Sequence, residues 1–449
     1  MDFFDSAPDG WQLATLSELG EVNRGRSRHR PRHDPILYGG PYPFIQTAEV
    51  KAADGLVTSH RQTYNEAGLT QSRLWPAGTM CITIAANIAE TAILTYPACF
   101  PDSVIGFVAD PDRADVYFVE YAFRNLKRMI HHVSSDSGTV QDNINLEFLD
   151  DLRFPVPSDV PEQAAIAKIL RSLDAKIAAN RRQTALVEAY CRALFSAWFS
   201  DFEPVTAASV GQALPGLSSR LSRMFPGAFV DSDLGPIPEG WEVVPFTELL
   251  DALESGTRPK GGVAAVADGV PSLGAEHIEP LGEFHYESVK FVSEEFFASM
   301  KRGVVQPRDI VLYKDGAYVG KTTMWDAGFP YERCCVNEHV FLLRAKPAVG
   351  QEFLYFWLTD SGNSVDVVNL NSNSAQPGLS QDALGSLSVV LPPEALRREF
   401  AAVSRPLLDG VFRNAKQNRE LVGLREELLP HLVSGALRLS DYALAGVTG

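Results

Sequence analysis

Apolar side chains recur at alternating steps of four and three residues through the middle of the chain, from Pro161 to Phe199. This spacing is that of a coiled-coil seam, and it predicts one long amphipathic helix. Within this stretch no Gly or Pro follows Pro161, and Pro161 itself suits a first helical turn. Such a helix would be roughly 60 Å long, which is typical of a spacer between domains. The predicted seam consists of Ile166, Leu170, Leu173, Ile177, Asn180, Thr184, Val187, Cys191, Leu194 and Trp198.

A second segment of the same kind runs from Pro393 to Gly435. Pro406 has no backbone donor, so we expect it to kink or divide this helix, and we expect Pro430 to disturb the final turns. The predicted seam consists of Leu396, Phe400, Val403, Leu407, Gly410, Asn414, Gln417, Leu421, Leu424 and Leu428.

Polar residues lie midway along both seams, with Asn180 and Thr184 in the first and Asn414 and Gln417 in the second. Polar seam residues lower stability but fix register and choice of partner. Their matched positions predict that the two helices pair with each other about their midpoints. The pairing would be antiparallel, because the second helix must carry the chain back. Two independent surface helices on ordinary domains are the alternative.

The segments that precede the two helices resemble each other. Four stretches of the first segment recur in the same order in the second, at offsets between about 228 and 235 residues. Four ordered matches predict a tandem duplication of a half-chain. The stretches begin at Trp11, Pro41, Trp75 and Val140, and their counterparts begin at Trp241, Gly269, Val305 and Ala375.

Each repeated block contains short apolar runs separated by Gly, Pro, Asn and Asp, a pattern typical of β-strands, with a helix near 115–131 and a counterpart near 351–359. The predicted fold class is α+β: two mostly-β domains in a pseudo-twofold tandem repeat, separated by a pair of long antiparallel coiled-coil helices. The linker should be irregular, with one helical turn near 217–224. The predicted boundaries are 1–157, 158–203 (central helix), 204–237 (linker), 238–392, 393–440 (second helix) and 441–449 (tail).

The chain of 449 residues carries a net charge of −16, and the acidic excess lies in the two repeated blocks. This charge disfavours tight unaided binding of nucleic acid but allows a local basic groove. No apolar run reaches the ~18 residues of a membrane helix, and the N-terminus lacks the features of a signal peptide. Five scattered cysteines without metal-binding spacing suit a reducing compartment. We therefore expect a cytoplasmic protein without a bound metal.

Motifs of catalysis are not evident in the sequence. The run from Gly316 to Thr322 is one residue short of a phosphate-binding loop, and a turn between two strands is the better interpretation. No adenine-methyltransferase motif, GxGxxG, HExxH or GxSxG is present. A nuclease site built from Asp102 with Glu120 or Lys127 has no support in the spacing. The sequence predicts no catalytic residue and no metal ligand.

Basic residues cluster in one loop of each block. The first loop carries Arg24, Arg26, Arg28, Arg30 and Arg32 within an otherwise acidic block. Arginine forks suit phosphate oxygens and the guanine edge. At the matched place in the second block stand Arg258 and Lys260, again among glycines. Two basic loops at matched positions favour contact with a nucleic-acid backbone, although a solvated loop is an equally simple interpretation of either alone.

Polar residues near these loops complete the candidate interface. Candidates for reading base edges are Gln46, Thr47, Glu276 and His277, and weaker candidates are Ser72, Arg73, Lys314, Lys321, Asn371, Asn373 and Gln376.

Four longer segments give the chain a resemblance to the specificity subunits of type I restriction–modification systems. They are Glu162–Ile177, Ala193–Val205, Arg223–Val244 and Leu424–Leu439, and together they are far more specific than a short motif. The resemblance covers nearly the whole chain. It implies that each block is a target-recognition domain for one half of a split double-stranded DNA site, and that the helices are the spacer between half-sites.

The resemblance also implies partners and their cofactors. Two methyltransferase subunits would dock on the helices and use S-adenosylmethionine, and endonuclease subunits would join with ATP and Mg²⁺. The chain would have no active site of its own. The alternatives from the residues alone are a protein–protein scaffold whose repeated β blocks bind peptides, and an ATPase or nuclease using Lys321 or the acidic clusters.

Overall fold

The computed structural model describes residues 4, 6–85, 87–136, 146–259, 262, 266, 268–316, 318–370 and 378–439. The chain forms two compact units. The first consists of Met1–Ala175 with Leu421–Gly449, and the second of Lys176–Glu420.

A five-stranded sheet forms the centre of the first unit. The strands of this unit are β1 (Trp11–Ala14), β2 (Gly20–Arg24), β3 (Tyr38–Phe44), β4 (Gly55–Val57), β5 (Gln62–Tyr64), β6 (Met80–Thr83), β7 (Thr91–Leu94), β8 (Val104–Ala109) and β9 (Phe154–Pro157). Its helices are α1 (Leu16–Leu19), α2 (Thr47–Ala52), α3 (Glu66–Thr70), α4 (Val116–Asp136), α5 (Leu146–Asp151) and the start of α6 (Val160–Phe195). The sheet has the order β2-β8-β6-β7-β4, and β1–β9 and β3–β5 form separate pairs.

Burial on both faces explains why β6 and β8 are central. Every residue of β6 is buried, as are the first four of β8, and continuous apolar runs are typical of strands covered on both sides. Ile82 and Phe107 share a core with Phe118 and Phe123 of α4. Ile166 of α6 joins the same core, so the long helix is part of the first unit's packing.

The second unit repeats this arrangement. Its strands are β10 (Phe229–Val230), β11 (Ile237–Pro238), β12 (Glu242–Pro245), β13 (Leu250–Ser255), β14 (Val270–Leu273), β15 (Lys290–Val292), β16 (Ile310–Tyr313), β17 (Thr322–Met324), β18 (Cys335–Val336), β19 (Val340–Ala345) and β20 (Ser388–Leu391). Its helices are α7 (Glu203–Ser209), α8 (Ser219–Ser222), α9 (Glu294–Ser299), α10 (Gln351–Thr359), α11 (Ser361–Asn369), α12 (Gln381–Gly385) and most of α13 (Glu394–Val433). The main sheet has the order β13-β19-β16-β17.

The internal duplication is confirmed by topology. The order β2-β8-β6-β7 recurs as β13-β19-β16-β17, and the pair β1–β9 recurs as β12–β20. At the start of each long helix, one side chain donates hydrogen bonds to two backbone carbonyls of the preceding domain. Gln163 donates to the carbonyls of Pro157 (2.9 Å) and Arg113 (3.0 Å). Arg397 donates to the carbonyls of Pro392 and Ala348. The fold is thus a tandem repeat of two α+β domains, each followed by a long helix.

Three details differ from the sequence-based expectations. Helix α13 is continuous through Pro406, so of the two expected effects, a kink or a division, the division is wrong. Helix α6 ends at Phe195, and one π-helical turn, Ser196–Ser200, follows it. The linker contains α7, α8 and the β10–β11 hairpin rather than a single turn, because apolar linker residues such as Val205 and Phe225 pack into the core of the second unit.

The midpoints of the two long helices pair within the second unit. Asn180 Nδ2 donates to Gln417 Oε1 and to Asn418 Oδ1, each at 2.9 Å. Asn414 Nδ2 donates to Gln183 Oε1 at 3.2 Å. Residue numbers rise along one helix and fall along the other through these contacts, so the helices are antiparallel here. The polar seam residues predicted the pairing, and the connectivity of the chain predicted its direction.

Most of the predicted seam residues of the first helix are buried. Ile166, Leu170, Ile177, Asn180, Thr184, Cys191 and Trp198 are buried, and Leu173, Val187 and Leu194 are half-buried.

The predicted register of the second seam is wrong after Phe400. Leu407, Gly410, Asn414, Leu421 and Leu428 are half-buried, and Val403, Gln417 and Leu424 are exposed. The buried side chains lie one residue further along, at Leu408, Val411, Ala415, Arg425 and Leu429. The change begins at Ser404, which is buried because its hydroxyl donates to the carbonyl of Phe400 at 2.9 Å. A prediction from apolar positions alone does not include a buried serine, so it misses this change of register.

Candidate nucleic-acid interface

The two predicted basic loops leave their main sheets at equivalent ends. In the first unit, Arg24 at the end of β2 pairs with Ile105 of β8, and Thr83 at the end of β6 pairs with Val104. The loops after β2, before β8 and after β6 therefore leave the sheet at the same end. In the second unit Ser255 pairs with Phe341 in the same way. We call these regions the first and second loop edges.

Backbone contacts anchor the basic loop of the first loop edge. Gly25 donates its N–H to the Val104 carbonyl at 2.8 Å, and Arg26 donates its N–H to the Phe100 carbonyl at 3.0 Å. A Cβ atom on Gly25 would lie 2.3 Å from the Pro101 carbonyl oxygen, so only glycine allows this approach. Farther along, Gln71 Oε1 accepts the backbone N–H groups of Arg28 (2.6 Å) and His29 (3.0 Å). These contacts hold the loop in place through its main chain.

Three arginines of this loop are exposed and uncommitted. Across the described residues, the guanidinium groups of Arg24, Arg26 and Arg28 have no carboxylate or hydrogen-bond partner. All three side chains are exposed. Arg30 instead donates to the carbonyls of Ser27 and His29. Arg32 binds both carboxylate oxygens of Asp102, at 2.8 and 3.0 Å.

The neighbouring candidates of the first unit are mostly engaged in structure. Gln46 donates to Gln62 Oε1 at 2.7 Å. Ser72 donates its hydroxyl to the Arg26 carbonyl at 2.8 Å, so it supports the loop. Arg73 pairs with Glu21 at 2.7 Å and lies 3.8 Å above the ring of Trp75. Thr47, the first residue of α2, is half-buried.

The second loop edge has the same anchor but different charges. A Cβ on Gly256 would lie 1.8 Å from the Val336 carbonyl oxygen, which makes Gly256 the counterpart of Gly25. Arg258 pairs with Glu338 at 3.1 Å. Lys314 lies 3.3 Å from the Ser255 hydroxyl and 5.2 Å from the ring centre of Phe341. Both basic groups are partly neutralised, because Lys314 Nζ also lies 4.0 Å from Asp315 Oδ2.

A carboxylate–histidine pair that the sequence did not predict adds to this edge. His339 Nδ1 lies 2.6 Å from Asp315 Oδ1, and its Nε2 lies 3.5 Å from Glu338 Oε1. Asp315 and His339 lie 24 residues apart in sequence, and no local spacing identifies this pair. The glycines Gly25 and Gly256, in contrast, fit the offset of the repeat, and that spacing could have identified them.

Glu276 and His277 are neighbours that differ in burial. Glu276 is exposed, whereas His277 is only 3% exposed. The imidazole Nδ1 accepts the N–H of Gly274 at 3.0 Å, and the ring stacks on Phe284. Burial lowers the pKa of His277. His277 therefore supports the turn and is unavailable to a base edge, which corrects the sequence-based expectation.

Lys321 is exposed and pairs with Glu279 at 3.1 Å. The segment from Gly316 is the turn between β16 and β17, as the sequence suggested. Lys260, Asn371, Asn373 and Gln376 lie outside the described residues.

The helix pair carries an apolar groove within the second unit. The groove has a volume of about 580 Å³ and lies between Leu186, Val187 and Tyr190 of α6 and Val403 and Pro406 of α13. Leu186 is 72% exposed and Tyr190 is 53% exposed. Exposed apolar side chains next to each other are typical of a surface that binds another protein.

Other kinds of site find little support in the described part of the chain. Its His, Cys, Asp and Glu side chains include no group of three placed to hold a metal ion. All five cysteines are free thiols and buried. No described helix is long and apolar enough to cross a membrane.

Comparison with known proteins agrees with the duplicated architecture. The family model for the type I restriction modification DNA specificity domain matches residues 8–189 and 238–396. The specificity subunit of the type I restriction enzyme MjaIX of Methanocaldococcus jannaschii is 22% identical over 442 residues, which cover 97% of this chain and 95% of that protein. The specificity subunit of the HindI enzyme of Haemophilus influenzae is 21% identical, over 68% of this chain and 72% of that protein.

A solved structure shares the fold. The S subunit of a type I restriction–modification system from M. genitalium superposes with a TM-score of 0.57 at 16% sequence identity, covering 96% of this chain and 98% of that one.

The two matched segments span most of the chain, and the chain belongs to the type I restriction–modification DNA specificity family. It is a specificity subunit with two specificity domains in tandem, and the recognition rather than the catalytic component of its system.

Proposed function

We propose that each unit reads one half of a bipartite double-stranded DNA site through its loop edge. The observation that carries this proposal is the repetition of one arrangement. Three segments leave the same end of an equivalent sheet in both units. They are a basic loop anchored by a glycine, the turn before β8 or β19, and the hairpin β6–β7 or β16–β17. Two equivalent edges in one chain suit two half-sites.

Contacts at these edges would be of two kinds: contacts to phosphates that position the protein on DNA, and contacts to base edges that read the sequence. Arg24, Arg26 and Arg28 are exposed, unpaired among the described residues and attached to a fixed backbone. Arginines of this kind bind phosphate oxygens, which hold a protein on DNA without selecting a sequence. Exposed polar groups such as Glu276 would be left to read base edges. The surrounding acidic surface limits binding elsewhere on the protein.

The helix pair would act as the spacer between half-sites and as the docking surface for two methyltransferase subunits. The groove around Leu186 and Tyr190 supports the second role, because it exposes apolar surface on the helices rather than on the recognition edges. S-adenosylmethionine would be bound by the methyltransferase subunits. ATP and Mg²⁺ would be bound by endonuclease subunits that join the complex.

Reconstitution with the methyltransferase partner tests this function. The complex should methylate a split DNA sequence, and sequencing of methylated host DNA identifies it. Exchange of residues 1–157 for those of a relative should change one half-site and leave the other intact. Methylation without sequence preference, or a change in both half-sites, would contradict the proposal.

A further inference from the structure

The hairpin between β16 and β17 presents an exposed aromatic side chain at the second loop edge. Tyr318 is 71% exposed, although it sits in a short and well-bonded turn. Tyr313 donates its N–H to the Lys321 carbonyl at 2.9 Å, and Gly320 donates to the Tyr313 carbonyl at 2.9 Å. Lys321 donates to the Tyr318 carbonyl itself at 3.0 Å. The main chain of Tyr318 is therefore fixed while its ring faces solvent.

Packing beneath the turn adds to this rigidity. Val319, the next residue, is only 9% exposed and belongs to the core of the second unit. Gly320 has φ of +91°, and a Cβ there would lie 2.7 Å from Val368 Cγ2. The left-handed backbone and the close approach both require glycine. One apolar side chain anchors the hairpin, and the other is left for a partner.

The position of the ring suits nucleic acid. The hairpin leaves the sheet at the same end as Ser255, Arg258 and the His339 pair, because Tyr313 pairs with Val340 at the start of β19. Tyrosine combines a flat apolar body with a hydroxyl that both donates and accepts, and it is common at interfaces. An apolar group in the major groove recognises the methyl group of thymine.

The first unit has no aromatic residue in the equivalent hairpin. The turn between β6 and β7 carries Ile88 and Ala89, both 2% exposed. Its loop edge instead has the three uncommitted arginines. The two edges thus differ in chemistry: one is rich in free positive charge, and the other pairs its charges and exposes a ring.

We propose that Tyr318 is a specificity-determining residue, whose ring contacts base-pair edges of the half-site that the second unit reads. This inference rests on the proposed function. Loss of the ring should reduce discrimination at one or two adjacent base pairs by about tenfold. The salt dependence of binding should stay unchanged, because no charge is removed.

The experiment uses the full chain in complex with the methyltransferase subunits, and duplexes in which each base pair of the site is changed in turn. Tyr318→Ala should lose preference only within the half-site that stays the same when residues 1–157 are exchanged. Leu234→Ala is the matched control, since Leu234 is 50% exposed in a turn of another hairpin. It should behave as wild type. Tyr318→Phe keeps the ring and should retain the preference.

The outcomes separate the two proposals. A wild-type complex without sequence preference contradicts the proposed function. A specific wild-type complex whose preference at every position is unchanged, within about twofold, in Tyr318→Ala contradicts only the role of Tyr318. Equal losses in Tyr318→Phe and Tyr318→Ala would overturn the ring contact.

Discussion

Asn180 and Gln417 lie on different long helices, 237 residues apart, and are joined by a hydrogen bond of 2.9 Å. The reciprocal pair, Asn414 and Gln183, is joined at 3.2 Å. Each helix therefore contributes the same pattern, Asn followed three residues later by Gln, and each Asn donates to the Gln of the other helix. This polar layer marks the point about which the duplicated helices cross.

The two asparagines of this layer should differ in their contribution to stability. Asn180 is 1% exposed and donates to two acceptors, whereas Asn414 is half-buried and donates to one. Asn180→Ala would remove two hydrogen bonds donated by a buried amide, each worth about 0.5–1.5 kcal/mol, so we expect a loss of about 1–3 kcal/mol in unfolding free energy. Asn414→Ala should cost less than about 1 kcal/mol. Urea unfolding of both variants measures the difference, and equal losses would contradict the asymmetry.

The uncommitted arginines should determine the salt dependence of DNA binding. If Arg26 and Arg28 neutralise phosphates, Arg26→Ala with Arg28→Ala should weaken binding to all sequences and lower the slope of log K against log salt by about 2. Arg32→Ala is the matched control, because Arg32 is already paired with Asp102. Titrations of the methyltransferase complex at several salt concentrations give the slopes. A double variant with the wild-type slope would refute phosphate contact.

A buried charge network should be essential to the first unit. Arg124 binds Glu120, which is 2% exposed, at 3.0 Å and Asp174 at 3.3 Å. Burial raises the pKa of the Glu120 carboxyl, and the Arg124 charge opposes this change. Arg124→Ala leaves that carboxyl unpaired and should cost about 3–5 kcal/mol. Arg113→Ala removes an exposed pair with Asp110 and should cost under about 1 kcal/mol. Similar thermal shifts for the two variants would count against a structural network here.

The buried histidine of the second unit should make stability depend on pH. Burial lowers the folded-state pKa of His277, so the unfolded chain binds a proton more readily. The stabilisation is fully present above the unfolded pKa of about 6.5 and is lost as the pH falls below it. When the pH is lowered from about 7.5 to 5.5, the unfolding temperature Tm should fall less in His277→Gln than in wild type. His285→Gln, at a side chain that is 75% exposed, should follow the wild-type curve. A parallel curve for His277→Gln would refute this role.

The pattern of residues along the chain determined the larger architecture. The duplication was visible because its matches keep their order, and topology confirms it in the sheet orders β2-β8-β6-β7 and β13-β19-β16-β17. The first long helix was visible because helical periodicity is a local property. Asn180 and Gln417 stood out because polar residues interrupt an apolar seam. Family membership, too, follows from segments that can be recognised without a structure.

Tertiary structure alone decided which of the candidate side chains remain free to contact DNA. Arg26 and Arg32 belong to one basic loop, but Arg32 meets Asp102, 70 residues away, and Arg26 does not meet a carboxylate in the described chain. His277 and Glu276 are neighbours, yet packing against Phe284 buries only the histidine. The register of the second helix changed at Ser404, whose burial depends on a hydrogen bond rather than on hydrophobicity. Availability depends on pairing and burial between distant segments, and local sequence does not encode those distances.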